Sequence, residues 1–207
     1  MALAILMRHG EAENNVNRVL VGRHLESHLT SYGRQQVAEA ARFFQDVPIE
    51  KIYASPVIRT IETAEIVSKI LGTSYEIDER LYEIDLGILV GMNYEEIVNK
   101  YGNLFLKFYA EQDPFLVKCG VETFTSVKER VNSLLNEIRV NYTDENILMV
   151  THLDPIKAAI STLLDLTPEA LYRWHIRNAS LTILKNEGNL YSLFGVNVMN
   201  MDRYIKD

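Results

Sequence analysis

The chain has 207 residues, 47% of them hydrophobic, and carries 28 acidic against 21 basic side chains for a formal net charge of −7 at pH 7. That length suits one domain with a full core, and the acidic balance argues against nucleic acid or an anionic membrane as partner, so any anion site must be local. One cysteine, Cys119, excludes an intrachain disulfide framework and fits a reducing compartment.

Residues 2–7 form an unbroken apolar run that stops on Arg8, His9 and Gly10. This predicts a strand buried on both faces whose carboxyl end, where ligands gather in open parallel sheets, carries polar groups. Gly10 would let a ligand approach the imidazole closely. The run is short and has no basic residues before it, so it reads as neither signal peptide nor membrane anchor, and a cytoplasmic protein is expected. Residues 11–30 show no helical or alternating period and are expected as a loop near the site. Thr30 or Ser31 opens a helix with Val37, Ala41 and Phe44 on its apolar face, running to Pro48.

Residues 49–54 are a second strand, followed at once by Ser55-Pro56 as the expected cap and first-turn pair of a helix marked by Val57, Ile61, Ala64 and Leu71. Arg59 then stands in the first turn, where helix N-termini attract anions. Gly72 ends that helix, residues 75–77 are a short strand, and 81–87 are the loop beyond it. Between Gly91 and Gly120 only residues 94–101 read as a helix; the rest, rich in aromatics and carrying Pro114, is expected as a cap-like insertion. Ser126-Val127-Lys128-Glu129 predicts a capping box for a helix with Val131, Leu134, Leu135 and Ile138. Residues 147–150 are a strand ending at Thr151-His152, and Asp154-Pro155 opens a helix with Ile156, Ile160 and Leu163. Residues 181–184 and 190–196 close the chain as a hairpin. Strands alternating with helices predict an α/β sandwich whose last strands break an otherwise parallel order, with residues 1–207 as a single domain and the insertion at 91–120.

His9, Arg59, Glu83 and His152 each follow a different predicted strand, so one sheet edge could gather all four. The segments that carry them, LMRHGEAENN, SPVIRTIETA, LYEIDLG and VTHLDPIKA, stand in an order and spacing that resemble the histidine phosphatase, or phosphoglycerate mutase-like, superfamily across nearly the whole chain. The resemblance implies a three-layer α/β/α fold with a mixed, mostly parallel six-stranded sheet. It implies that His9 is a nucleophile that becomes phosphorylated, that Arg8, Arg59 and His152 hold the phosphoryl group with Asn15 also in contact, and that Glu83 is the proton donor. Glu79 and Asp85 lie close enough to Glu83 in sequence to compete for that last role. No cofactor and no metal is expected. The chemistry suits these residue types: a phosphate monoester carries about −1.5 to −2 charges near neutrality, guanidinium forks bind its oxygens bidentately, and phosphoryl transfer needs mainly positioning and charge stabilisation. His24 and His28 have the i, i+4 spacing of a metal pair but lie in a loop, and read as rim residues. Trp174, Tyr172 and the aromatics of 101–115 read as core or lid.

Mutases of the family grip a carboxylate and a phosphate partly through arginines of the insertion. Here no arginine occurs between Arg80 and Arg130, and Lys100, Lys107 and Lys118 are scattered among Phe105, Phe108, Tyr109 and Phe115. The expectation is therefore a metal-independent phosphomonoester hydrolase working through phosphohistidine on a small-molecule substrate; the alternatives are a phosphoglycerate-type mutase and a non-catalytic phosphate-binding module. GRHLESHLT, and THLDPIKA with RNASLTIL, resemble a branch of the family labelled as phosphomutases. Leu153, Asp154 and the run Ile88-Leu89-Val90 depart from the common pattern. The oligomeric state stays open, a homodimer among the options.

Overall fold

The computed structural model describes residues 2–44, 47–111 and 113–199. Its described strands are β1 (Leu3–Arg8), β2 (Ile49–Ala54), β3 (Tyr75–Ile77), β4 (Asn146–Thr151), β5 (Leu181–Asn186) and β6 (Tyr191–Val198), in one sheet of order β3-β2-β4-β1-β5-β6. The pairs β1–β4, β2–β4 and β2–β3 are parallel, so these four strands end on one edge. The closing hairpin reverses that order: β5 runs antiparallel to β1, and β6 antiparallel to β5.

Helices cover both faces. They are α1 (Glu13–Asn17), α2 (Ser31–Arg42), α3 (Ile58–Leu71), α4 (Tyr94–Tyr101), α5 (Leu104–Ala110), α6 (Pro114–Lys118), α7 (Phe124–Asn141), α8 (Leu153–Leu164) and α9 (Pro168–Arg173). Because strand side chains alternate, Leu3, Ile5 and Met7 pack on one face with Val37, Ala40 and Ala41 of α2 and Ala64 and Val67 of α3. Ala4 and Leu6 meet Val131, Leu134 and Leu135 of α7 and Ile156 and Ile160 of α8 on the other. Burying each such side chain contributes about 1.5–3 kcal/mol, and a one-residue slip of β1 would turn every one of them to the wrong face. The layers thereby hold Arg8, at the last position of β1, and His9 after it at the sheet edge. Among the described residues no helix is long and apolar enough to cross a membrane.

Several local expectations are corrected. The segment expected as loop contains α1, whose five residues are too few to show a period. The helix expected to reach Pro48 stops at Arg42: the Phe43 and Phe44 N–H groups turn back to the carbonyls of Ala40 and Ala41, which drops Phe44 into the core. Residues 45 and 46 lie outside the described residues. Ser55 caps nothing, because α3 begins after Val57 and the Ser55 carbonyl instead accepts from Thr60 Oγ1 at 2.9 Å. The Ser126 box lies a turn late: Thr123 is the cap, accepting from the Ser126 N–H at 3.1 Å, and buried Phe124 starts α7. In the segment 91–120, α4 falls where expected, but α5 and α6 were not foreseen; helices of seven and five residues with aromatics on several sides leave no stripe.

Candidate active site

The bend after β1 places His9. Its N–H donates to the Thr151 carbonyl at 3.0 Å, continuing the β1–β4 ladder, and the Gly10 N–H donates to Thr63 Oγ1 at 3.2 Å. Here glycine is a packing requirement. A Cβ on Gly33 of α2 would lie 1.9 Å from the Glu11 carbonyl oxygen, and one on Gly10 would lie 2.5 Å from that of Gly33. The helix backbone is thus pressed onto the loop that carries the imidazole. His9 Nδ1 lies 2.7 Å from the Gly10 carbonyl oxygen; a carbonyl only accepts, so Nδ1 carries the proton and Nε2 keeps its lone pair. Burial, with Arg59 and Arg8 nearby, holds the ring well below the usual histidine pKa and therefore neutral.

Arginines and a second histidine surround that nitrogen. Arg59, the second residue of α3, donates from Nε to His9 Nε2 at 3.3 Å and from Nη2 to the Gly22 carbonyl at 2.8 Å. Burial pulls its guanidinium down to about 10, still charged at neutral pH. Arg8 donates from Nη1 to the Ile176 carbonyl at 2.5 Å. His152, the residue before α8, has its ring centroid 5.3 Å from that of His9, with Nε2 2.8 Å from Ser55 Oγ. Five buried side-chain polar atoms among the described residues have no hydrogen-bond partner, and three of them are Arg8 Nε, Arg59 Nη1 and His152 Nδ1. Since an unpaired buried polar group costs about 1–3 kcal/mol, three on residues clustered about one imidazole mark a place built for an acceptor-rich anion.

Glu83 completes the wall. Its Oε1 accepts from the N–H groups of Ile84 at 3.1 Å and Asp154 at 3.3 Å. Burial and the neighbouring Asp154 raise its carboxyl to about 7, against the opposing pull of Arg59 and Arg8. A cavity of about 590 Å³ is lined by Arg8, His9, Asn15, Arg59 and Glu83, and further out by Tyr94, Phe105, Tyr172 and Trp174. Asn15 Oδ1 accepts from the Ala12 N–H at 3.0 Å and from Asn178 Nδ2 at 3.2 Å.

The structure thus brings together all six residues singled out in the sequence, with His152 set behind the cavity wall rather than on it. Glu79 and Asp85 do not line the cavity, and Asp85 is engaged by His24 and Arg23. His24 and His28 do not line the cavity; they pair with Asp85 at 3.0 Å and Glu62 at 3.1 Å on the surface. Sequence reasoning missed Ser55, whose hydroxyl orients His152, and Asn178, whose amide reaches the His9 carbonyl at 3.1 Å. Tyr109, expected only as one of the core or lid aromatics, and Lys157, which was not singled out, are both on the cavity wall. The P-I-K run after Asp154 was visible, but nothing local says that Lys157 is 4% exposed and faces this cavity.

A cationic anion site at the carboxyl edge of a three-layer α/β/α sandwich is the class that this geometry defines. The chain belongs to the histidine phosphatase superfamily, branch 1, whose family model matches residues 4–198. It is 31% identical over 205 residues to the 2,3-bisphosphoglycerate-dependent phosphoglycerate mutase of Thermoplasma acidophilum, covering 98% of this chain and 97% of that one. It is 29% identical over 202 residues to phosphoserine phosphatase 1 of Hydrogenobacter thermophilus, covering 96% and 93%. The solved phosphoserine phosphatase of Entamoeba histolytica, in complex with 3-phosphoglyceric acid, superposes with a TM-score of 0.82 at 28% identity, covering 96% and 98%.

Proposed function

We propose that the protein is a metal-independent phosphomonoester hydrolase that works through a phosphohistidine on His9. The observation that carries the reading is the neutral His9 ring with its Nε2 lone pair among Arg8 Nε, Arg59 Nη1 and His152 Nδ1, three buried groups without partners. Two guanidiniums largely offset a phosphate dianion. With Ser55 donating into His152 Nε2, the His152 Nδ1 carries a proton for a third phosphoryl oxygen, and the Asn15 side chain supports a fourth contact.

In the first step His9 Nε2 attacks phosphorus in line, the P–O bond to the leaving group breaks, and Glu83 gives its proton to the departing oxygen. In the second, ionised Glu83 takes a proton from water as its oxygen attacks phosphorus, the P–N bond breaks, and phosphate leaves. A carboxyl raised to about 7 serves both directions near neutral pH.

Phosphatase is favoured over mutase because the insertion itself gives the cavity wall aromatics and no cation: Lys100, Lys107 and Lys118 stay off it, with Lys107 paired to Asp113 at 2.6 Å, and the basic residues on the wall beyond Arg8 and Arg59 are Arg18, Lys157, Arg173 and His175 from other segments. The segment 91–120 acts as the cap, presenting Tyr94, Phe105 and Tyr109. The buried, unpaired Cys119 fits a cytoplasmic setting. Phosphorylated hydroxy- and amino-acids, the compounds named for two of the relatives, belong in the first substrate panel. The test is a set of phosphomonoesters assayed in chelator, beside 2,3-bisphosphoglycerate-dependent mutase turnover of 3-phosphoglycerate. Hydrolysis exceeding mutase turnover is expected; the reverse result selects the mutase, and binding without any turnover selects the non-catalytic module.

A further inference from the structure

Glu83 poses a problem of charge. It faces Arg8 and Arg59, whose attraction favours a carboxylate, yet a proton donor must hold its proton. From α7, Arg130 reaches the Glu83 backbone carbonyl at 3.5 Å. We propose that Asp154 is a positioning residue for the proton of Glu83: the two carboxyls form a pair, Asp154 carries the charge, and Tyr109 with Lys157 fixes it there. This rests on the reading of Glu83 as the acid.

The hydrogen-bond directions carry the assignment. Lys157 Nζ lies 3.1 Å from Tyr109 Oη, and an ammonium can only donate. The phenol is therefore the acceptor there, and its own proton goes to Asp154 Oδ1 at 2.7 Å. A donor chain ending on Asp154, polarised by a cation at its far end, favours a negative charge on that carboxylate. Lys157 is buried and has no carboxylate within 4 Å among the described residues, so its charge is met through the phenol. Asp154 sits in the first turn of the twelve-residue α8, where the helix also favours an anion.

Among the described residues Glu83 has no such donor chain. Both of its recorded contacts, from the Ile84 and Asp154 N–H groups, fall on Oε1, which leaves Oε2 to carry a proton. The Asp154 backbone therefore orients the acid while its side chain keeps the acid protonated. The Asp154 N–H sits 3.3 Å from Glu83 Oε1 and the Asp154 charge helps to raise the Glu83 carboxyl; neighbouring carboxyls do not both ionise cheaply, so the pair holds one proton and Glu83 is where it resides.

The experiment titrates the intact protein labelled with 13C at glutamate carboxyls, the Glu83 signal being identified by its loss in Glu83→Gln. No substrate is needed, so the pairing is tested apart from the phosphatase reading. In the unsubstituted protein the Glu83 midpoint is expected near 7. Asp154→Asn, which keeps the backbone donor and side-chain shape, should lower it by roughly one unit or more and move the alkaline limb of kcat the same way. Tyr109→Phe should let the proton divide between the two carboxyls, so that the Glu83 signal loses amplitude in the step near 7. A merely structural role for Asp154 would lower activity without moving either titration. A Glu83 midpoint unmoved in Asp154→Asn with its melting transition intact overturns the proposal; should that variant fail to fold, an unreduced amplitude in Tyr109→Phe does so.

Discussion

The cavity has two unlike halves. Its floor is made by the ends of β1 and β4 and the start of α3, where His9 and Arg59, with His152 set behind them, are at most 2% exposed and His9 continues the parallel β1–β4 ladder through its N–H to the Thr151 carbonyl. Its outer wall is made by short helices, α4, α5 and α9, that present Tyr94, Phe105 and Tyr172 as parts of their side-chain surfaces. The floor is tied to the register of a sheet whose slip would cost the whole core; the wall is tied to a few aromatic contacts, such as Tyr94 stacked on Phe105 at 4.9 Å. On the proposed mechanism such a scaffold separates the chemistry, which cannot drift, from the selection of the leaving group, which can.

The separation is broken first at the proposed nucleophile. His9→Ala should lower hydrolysis roughly 10⁴- to 10⁶-fold on every monoester, whatever its leaving group, and abolish an acid-labile, base-stable phosphoprotein in rapid-quench trapping. Loss on some substrates only would mean that floor and wall are not distinct. Next comes Glu83→Gln, expected to cost roughly 10²- to 10⁴-fold on alkyl monoesters and far less on aryl monoesters, whose oxygens leave without a proton.

The pH dependence follows from the same residue. Glu83 has a raised carboxyl, protonated and active below about 7, so kcat should fall as pH rises through that region. A bound dianion pushes the limb further upward, never downward. In Glu83→Gln the limb should vanish; a limb that persists there assigns it to another group.

Smaller still is a substitution behind the floor. Gly33→Ala puts a Cβ 1.9 Å from the Glu11 carbonyl oxygen, and since both parties are backbone the clash must move α2 or the loop. A loss of about 1–3 kcal/mol in denaturant unfolding is expected, together with a fall in kcat, since the displaced loop carries His9. An unchanged kcat at lowered stability would show that the imidazole is held by the sheet alone.

How much of this was legible in the sequence follows the same division. Residues 2–7 and 147–150 show continuous apolar runs because both faces of their strands are covered, so the strands and the polar residues at their ends could be read directly. Their alignment on one edge followed from parallel order. The wall was poorly legible: α5 and α6 are too short to show a period of their own, and α5 packs Phe108 and Tyr109 against Phe124 of α7, beyond its own local window. Ser55 was misread because a serine before a proline and an apolar run has a strong local meaning as a cap, whereas its partner, His152, lies 97 residues away. Lys157 lies in the helix marked by Ile156, Ile160 and Leu163, and no local pattern singles it out.

The smallest expected effect tests the wall itself. Phe105 stacks on Tyr94 across α4 and α5 and lines the cavity without touching His9, Arg59 or Glu83 through any hydrogen bond. Phe105→Ala removes one partner of an aromatic pair worth about 0.5–1.5 kcal/mol beyond its buried area. If Phe105 shapes only where the leaving group rests, loss of a ring contact of the same size with an aryl group should raise KM for bulky aryl monoesters by about twofold to thirteenfold, while kcat stays within a factor of about two. Small alkyl monoesters, which do not reach the aromatic wall, should show no change in either constant. Should kcat fall on the small substrates as well, α5 would be part of the support for Tyr109 and Asp154, and the wall would belong to the catalytic half of the molecule.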